Sequence, residues 1–230
     1  MSANQLVAPY SKRLIEPYFD FHPDLIIEAI NACNRACQGC YAANTLVNKN
    51  KAQTSAKFIN LDSLTMALSE IPHVEIVTIR GGEPSIHPYI DQVLEVVRRK
   101  SNFVILETHG RWINSNAPLL NVCKNLDIKI KVSFDSMHGL SADQLRDFHK
   151  ILSNNSIEYF VAITEPTYEE FIATRSLCHW IPNSKIIFQK KAVTLDELIV
   201  PKIGVIKVGG ELNKTLSVKN DFLSGRRHAY

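Results

Sequence analysis

VEIVTIRGGEPSIHPYIDQVLEVV, residues 74–97, changes period in the middle, and that change sets the architecture. Val74 to Ile79 is a run of β-branched and apolar residues of strand length. After a Gly-Gly turn, Ile90, Val93, Leu94 and Val97 fall on one helical face, in a helix that Pro88 is expected to open. One strand followed by one helix makes a βα unit, and the same grammar recurs on both sides of it.

Upstream, Leu25 to Ile30 reads as a buried strand, and Leu61, Leu64, Leu68 and Ile71 mark a helix with Asn60 as N-cap. Downstream come strand Phe103 to Leu106, helix Asn116 to Leu126 and strand Ile128 to Phe134. The next helix opens with Ser141 and Gln144 in capping-box spacing, stapled by Leu140 against Leu145. Strand Tyr159 to Ile163 follows, then a helix opened by Thr167 with Glu170, then strand Lys185 to Gln189. Six strand-helix units are visible, the last without a clear helix. Parallel neighbours need crossover connections, so this alternation predicts an α/β fold with a parallel sheet covered by helices. Whether the sheet stays open or curls into a barrel is not settled by periodicity. From Val200 the pattern changes, and Gly204 to Val208, Gly209-Gly210 and Thr215 to Val218 read as a C-terminal β-hairpin extension. We expect a single domain, with its core at about 25–190 and an extension at about 195–230.

Balanced charge, 26 basic against 23 acidic residues, argues against a nucleic-acid or polybasic membrane surface. Without an apolar run of about 18 residues or a secretory signal, the expected location is cytoplasmic. Five cysteines are an odd number. Cys123 and Cys178 lie in helical apolar patterns and read as small buried hydrophobes. Cys33, Cys37 and Cys40 crowd one loop, which suits metal binding in a reducing compartment better than a disulfide framework.

The segment Cys33-Asn34-Arg35-Ala36-Cys37-Gln38-Gly39-Cys40-Tyr41 sets three thiols at CxxxCxxC spacing just after a strand. A 4Fe-4S cluster normally takes four thiolates, so three leave one iron open to an exogenous ligand. Structural zinc wants four ligands, and no nearby histidine supplies the fourth, so a zinc-binding interaction module is the weaker alternative. A redox protein would share the cluster without further cofactors.

This nonapeptide resembles the signature of the radical S-adenosylmethionine (radical SAM) superfamily. In that superfamily the three cysteines hold the cluster, and SAM chelates the fourth iron through its amino and carboxylate groups. Gly81-Gly82-Glu83-Pro84, followed by His87-Pro88, is similar to the family's GGEP segment at the end of the second strand, where the SAM amino group is held. Thr108 in Glu107-Thr108-His109-Gly110 and Ser133 with Asp135 in Ser133-Phe134-Asp135-Ser136 resemble strand-end motifs that approach the SAM carboxylate and ribose. All fall at the C-terminal ends of expected strands, which converge on one mouth in a barrel-like parallel fold.

Gly39 stands where relatives often carry an aromatic residue, so Tyr41 is the candidate for adenine contact. Arg80 and His109 depart from the family pattern and, with Arg111, are candidate substrate-facing residues. Glu165 and Lys190, of the Lys190-Lys191 pair, are further candidates at strand ends. The resemblance covers about 25–190 and implies a partial (β/α)6 barrel. It also implies reductive cleavage of SAM to methionine and a 5′-deoxyadenosyl radical that removes a hydrogen atom from substrate, with electrons from a flavodoxin or ferredoxin. The sequence shows no second cysteine cluster and no Asp-x-Lys pattern of the glycyl-radical activases, and no leader-binding domain is expected. The expectation is therefore a compact biosynthetic enzyme acting on a small-molecule substrate, with peptide or protein modification as the alternative.

Overall fold

In a computed structural model, which describes residues 23–37, 40, 47–48, 56–165, 167–190, 201 and 203–214, the strands and helices alternate along the chain as anticipated. Strand β1 (Leu25–Ile30) runs into the short β2 (Ala32–Cys33), which pairs in parallel with β3 (Val47–Asn48). Helix α1 (Leu61–Ser69) follows, and then come β4 (Val74–Gly81), α2 (Ile90–Arg98), β5 (Ser101–Thr108), α3 (Ala117–Asn125) and β6 (Lys129–Ser133). The chain continues through α4 (Ala142–Asn154), β7 (Tyr159–Glu165), α5 (Tyr168–Leu177), β8 (Ile186–Lys190), β9 (Gly204–Ile206) and β10 (Leu212–Lys214).

The main sheet has the order β10-β9-β1-β4-β5-β6-β7-β8. Every pairing is parallel except β10 with β9, so seven parallel strands form an open sheet consistent with a partial barrel. Residues alternate across this sheet, and one face carries Ile27, Val77, Ile79, Val104, Leu106, Ile130, Val132, Val161 and Ile163 into a continuous apolar core with the helices. Cys123 and Cys178 are fully buried in that core, as expected of small hydrophobes.

Several helix starts follow their capping chemistry. Asn60 accepts from the N–H groups of Asp62 (2.9 Å) and Ser63 (3.1 Å), and Asn116 accepts from Leu119 (3.1 Å). Both expected capping boxes form: Gln144 N donates to Ser141 Oγ (3.1 Å) and Glu170 N to Thr167 Oγ1 (3.2 Å), each with its reciprocal bond. Pro88 does not open α2. It precedes the cap residue Tyr89, whose N–H donates to His87 Nδ1 (3.0 Å), while Pro84 opens a 3-10 turn at Pro84–Ile86.

The C-terminal hairpin turns earlier and is more integrated than its pattern suggests. Gly210 N donates to Lys207 O (2.8 Å) and adopts φ +83°, so the turn closes there and the return strand begins at Leu212. Thr215 to Val218, expected as that strand, lies outside the described residues. Instead of hanging from the core, β9 adds to the sheet edge in parallel with β1, with Leu25 opposite Gly204 and Ile27 opposite Ile206.

Candidate active site at the strand ends

The cysteine segment is laid directly on the turn that follows β4. Gly82 N donates to Ile30 O (2.8 Å) and Glu83 N to Ala32 O (2.9 Å). A Cβ on Gly82 would stand 1.9 Å from Ala32 O, and one on Gly81 would stand 2.2 Å from Ile30 O. Only glycine admits so close a backbone approach. The glycine pair thus seats the cysteine segment against the turn.

Glu83 is the hub of the arrangement, and only 1% of its surface is exposed. Its Oε1 accepts from Thr108 Oγ1 (2.6 Å) and Ser85 N (3.1 Å), and its Oε2 accepts from His109 N (3.0 Å). The Thr108 hydroxyl also accepts from Gly110 N (3.0 Å) and Trp112 Nε1 (2.9 Å), which exhausts its capacity. In this arrangement Thr108 positions Glu83.

His109 ties the end of β5 to the cysteine loop. Its Nδ1 accepts from Arg111 N (3.1 Å), so the neutral ring carries its proton on Nε2, which donates to Asn34 Oδ1 (2.8 Å) and stands 3.3 Å from Glu83 Oε2. Burial holds this imidazole below its ordinary value against the pull of Glu83, and Arg35, Arg111 and His138 add to the lowering. His109 is thus built into the loop junction. The Arg111 guanidinium donates to Gly139 O (3.1 Å).

Cys33, Cys37 and Cys40 are half-buried free thiols. Burial, with a smaller push from the neighbouring Glu83, Cys37 and Cys40, raises the Cys33 thiol to about 11 against a hydrogen bond from the Arg35 backbone. A cation at this point relieves that penalty, because it replaces protons on crowded sulfurs. Among the described residues no three such ligating groups already converge in metal geometry. The donor set nevertheless fits a thiophilic metal: three soft sulfurs within eight residues, fixed at the first by β2 and the glycine turn.

Beyond β6, Asp135 Oδ1 accepts from the N–H groups of Met137 and His138 (3.0 Å each) and lies 2.6 Å from His138 Nδ1. Its Oδ2 is buried without a hydrogen-bond partner. A buried acceptor left open is costly unless something fills it, so this oxygen fits a ligand hydroxyl. Ser133 sits on the same sheet face as Lys131, opposite the helix core.

Glu165 is placed elsewhere than at the mouth. It follows Val161 and Ile163 on the helix-facing side, where it accepts from Thr174 Oγ1 of α5 (2.8 Å) and from the N–H and hydroxyl of Ser136 (3.0 Å each). Lys190 ends β8 opposite Glu165, and its side chain lies outside the described residues, as do Tyr41 and Lys191. Arg80 projects from the face opposite the core, 3.7 Å from Glu28. Sequence reading missed Asn34 and Ser136. Asn34 could have been found as the polar residue nearest the first cysteine.

A family model described as a 4Fe-4S single cluster domain matches residues 27–150, which span the cysteine loop, the glycine turn and the ends of β5 and β6. The chain belongs to that family. Among solved structures, the 4Fe-4S chain is similar to native anSMEcpe with bound AdoMet and Cp18Cys peptide (16% identity, TM-score 0.51, 88% of this chain and 61% of that one). It is also similar to Streptococcus suis SuiB bound to S-adenosylmethionine (16%, TM-score 0.53, 98% and 52%). A third is BtrN in complex with AdoMet and 2-DOIA (16%, TM-score 0.53, 88% and 77%). At these identities the likeness concerns the fold, and the 4Fe-4S chain spans only 61% and 52% of the first two. No curated protein matches the sequence. The family match bears out the expected 4Fe-4S cluster, and the solved structures share the fold that the resemblance to the radical SAM superfamily implies. No helix among the described residues is long and apolar enough to cross a membrane.

Proposed function

We propose that this protein is a radical SAM enzyme in which Cys33, Cys37 and Cys40 hold a 4Fe-4S cluster and the strand ends hold SAM, for hydrogen abstraction from a small-molecule substrate in a biosynthetic reaction. The observation that carries it is the hub at Glu83, which joins the cysteine segment, the glycine turn and the end of β5 into one rigid unit. When bound, the cluster supplies the electron that breaks a carbon–sulfur bond of SAM, giving methionine and a 5′-deoxyadenosyl radical that takes a hydrogen atom.

The protein's own part is positioning. Gly81 and Gly82 bring the turn flush with the cysteine segment, Glu83 and Pro84 shape the turn, and Thr108 and His109 fix Glu83 and Asn34. Asp135 Oδ2, with Ser133, is assigned to the ribose and carboxylate side of SAM, and Tyr41 to adenine. Arg80 and Arg111 remain assigned to the substrate side. Reducing equivalents are expected from a flavodoxin or ferredoxin in the cytoplasm.

The test is anaerobic reconstitution followed by reduction with SAM present. The expected outcome is a brown protein containing iron and sulfide that forms 5′-deoxyadenosine, with both properties lost in Cys37→Ala. Colourless, zinc-loaded protein would identify a zinc module, and a cluster protein that ignores SAM would identify an electron carrier. Peptide modification is a second reading, favoured by the peptide-bound structures among those similar to the chain.

A further inference from the structure

The sheet face opposite the apolar core carries two register rows of contrasting character. The lower row, Val205, Ile26, Thr78 and Ile105, is buried and, apart from one hydroxyl, apolar. One step nearer the strand ends, Glu28, Arg80, Glu107 and Lys131 stand on β1, β4, β5 and β6, and Lys207 follows directly after β9: five charges alternating in sign. Glu28 is opposite Arg80 and Glu107 opposite Lys131 in register. Lys207 Nζ lies 3.4 Å from Glu28, Arg80 Nη2 lies 3.7 Å from Glu28, and Lys131 Nζ lies 3.1 Å from Glu107. Burial raises the Glu107 carboxyl, but Lys131, Arg80 and His138 more than offset this and leave it below the ordinary range.

The place of this row matters more than its existence. Arg80 directly precedes the glycine turn, Glu107 directly precedes Thr108, and Lys131 lies two residues before Ser133, so the charges form the layer next to the SAM-side residues. The Glu28 and Glu107 side chains keep 20% and 25% exposure, whereas Lys131 keeps 5%. The layer beneath is closed, whereas in the charged layer Glu28 and Glu107 remain partly exposed.

Resting on the radical SAM reading above, we propose that this row is the floor of the substrate site and that it selects a compact zwitterion. Such a molecule sets an ammonium against Glu107 or Glu28 and a carboxylate against Arg80 or Lys131. Adjacent strands are about 4.8 Å apart, so opposite charges recur at roughly the span of a small amino acid. A zwitterion enters without changing the balance of the row. A lone anion or lone amine takes one member of an existing pair and strands the other, which is costly in a half-buried setting. An apolar substrate leaves the row desolvated and unanswered.

The probes are 4-aminobutyrate, butyrate and butylamine, titrated by ligand-observed NMR into anaerobically reconstituted protein with SAM. We expect 4-aminobutyrate to bind at least tenfold tighter than either singly charged analogue. The double variant Glu107→Gln with Lys131→Met exchanges this ion pair for a neutral pair and strands neither charge, so it is expected to keep the unfolding midpoint yet reduce the preference at least threefold. Equal binding of all three probes, no binding of any, or full retention of the preference in the double variant would each overturn the proposal. The comparison on the unaltered protein decides the matter even where the variant fails to fold. Formation of 5′-deoxyadenosine is scored separately. Its absence sinks the SAM reading, whereas failed probes on a protein that cleaves SAM sink only this one.

Discussion

Glu83 and Asp135 are both carboxylates buried just beyond the ends of parallel strands, and they are finished to different degrees. Glu83 has both oxygens bound by the protein itself, through Thr108, Ser85 and His109. Asp135 has one oxygen crowded with donors and the other, Oδ2, facing none. Similar chemistry at similar depth therefore does two jobs: the satisfied group holds the protein to itself, and the half-satisfied one is left for something else to bind. Proximity to a motif does not separate these roles, but a donor count does.

The contrast can be broken from the Glu83 side first. Gly82→Ala puts a methyl group into Ala32 O and is expected to destabilise the fold by about 3 kcal/mol or more and to abolish cluster retention, read by urea unfolding and iron content. Glu83→Gln keeps the shape but turns an amide N–H₂ toward existing donors, and about 2–3 kcal/mol of stability should disappear in the same unfolding experiment. Thr108→Val leaves Gly110 N and Trp112 Nε1 without their acceptor, a loss of about 1–2 kcal/mol that near-UV signals of Trp112 will follow. Asp135→Asn sharpens the comparison. Oδ1 keeps its donors, so stability should change by less than about 1 kcal/mol, while SAM binding weakens roughly tenfold in equilibrium dialysis, equivalent to about 1.4 kcal/mol. A stability loss as large as that of Glu83→Gln would show that the two carboxylates are alike after all.

Glu107 supplies a pH test of a third carboxylate. Its folded-state value is held below the ordinary range, so its contribution to stability is present above the unfolded-state value and is lost as pH falls through the folded one. Lys131→Met removes the main stabilising partner and is expected to reduce the loss of stability on acidification, seen as a shallower acid limb of the unfolding midpoint.

The helix starts at Ser141 and Thr167 were legible because their caps are local, three residues from donor to acceptor. The cysteine spacing and the GGE turn were legible for the same reason, each being contiguous. The side on which Glu165 falls was not, because the face of a strand-end residue depends on where the strand begins and on Thr174, which arrives from the next helix. The tie between His109 and Asn34 joins positions 75 residues apart and has no local signature. The charged row is the extreme case. Four of its members come from four strands and the fifth, Lys207, from the residue after β9, and only the arrangement of the sheet brings them together.

Because β9 completes β1, the strand that delivers the thiols has one neighbour about 50 residues downstream and another about 180 downstream. During synthesis the first of these is available early, while the other flank of β1 stays an unsheltered edge until translation has passed Ile206. Until then, the segment meant to receive iron sits beside bare backbone able to pair with another chain. Timing of metal delivery and protection of the nascent polypeptide are, for this topology, one problem.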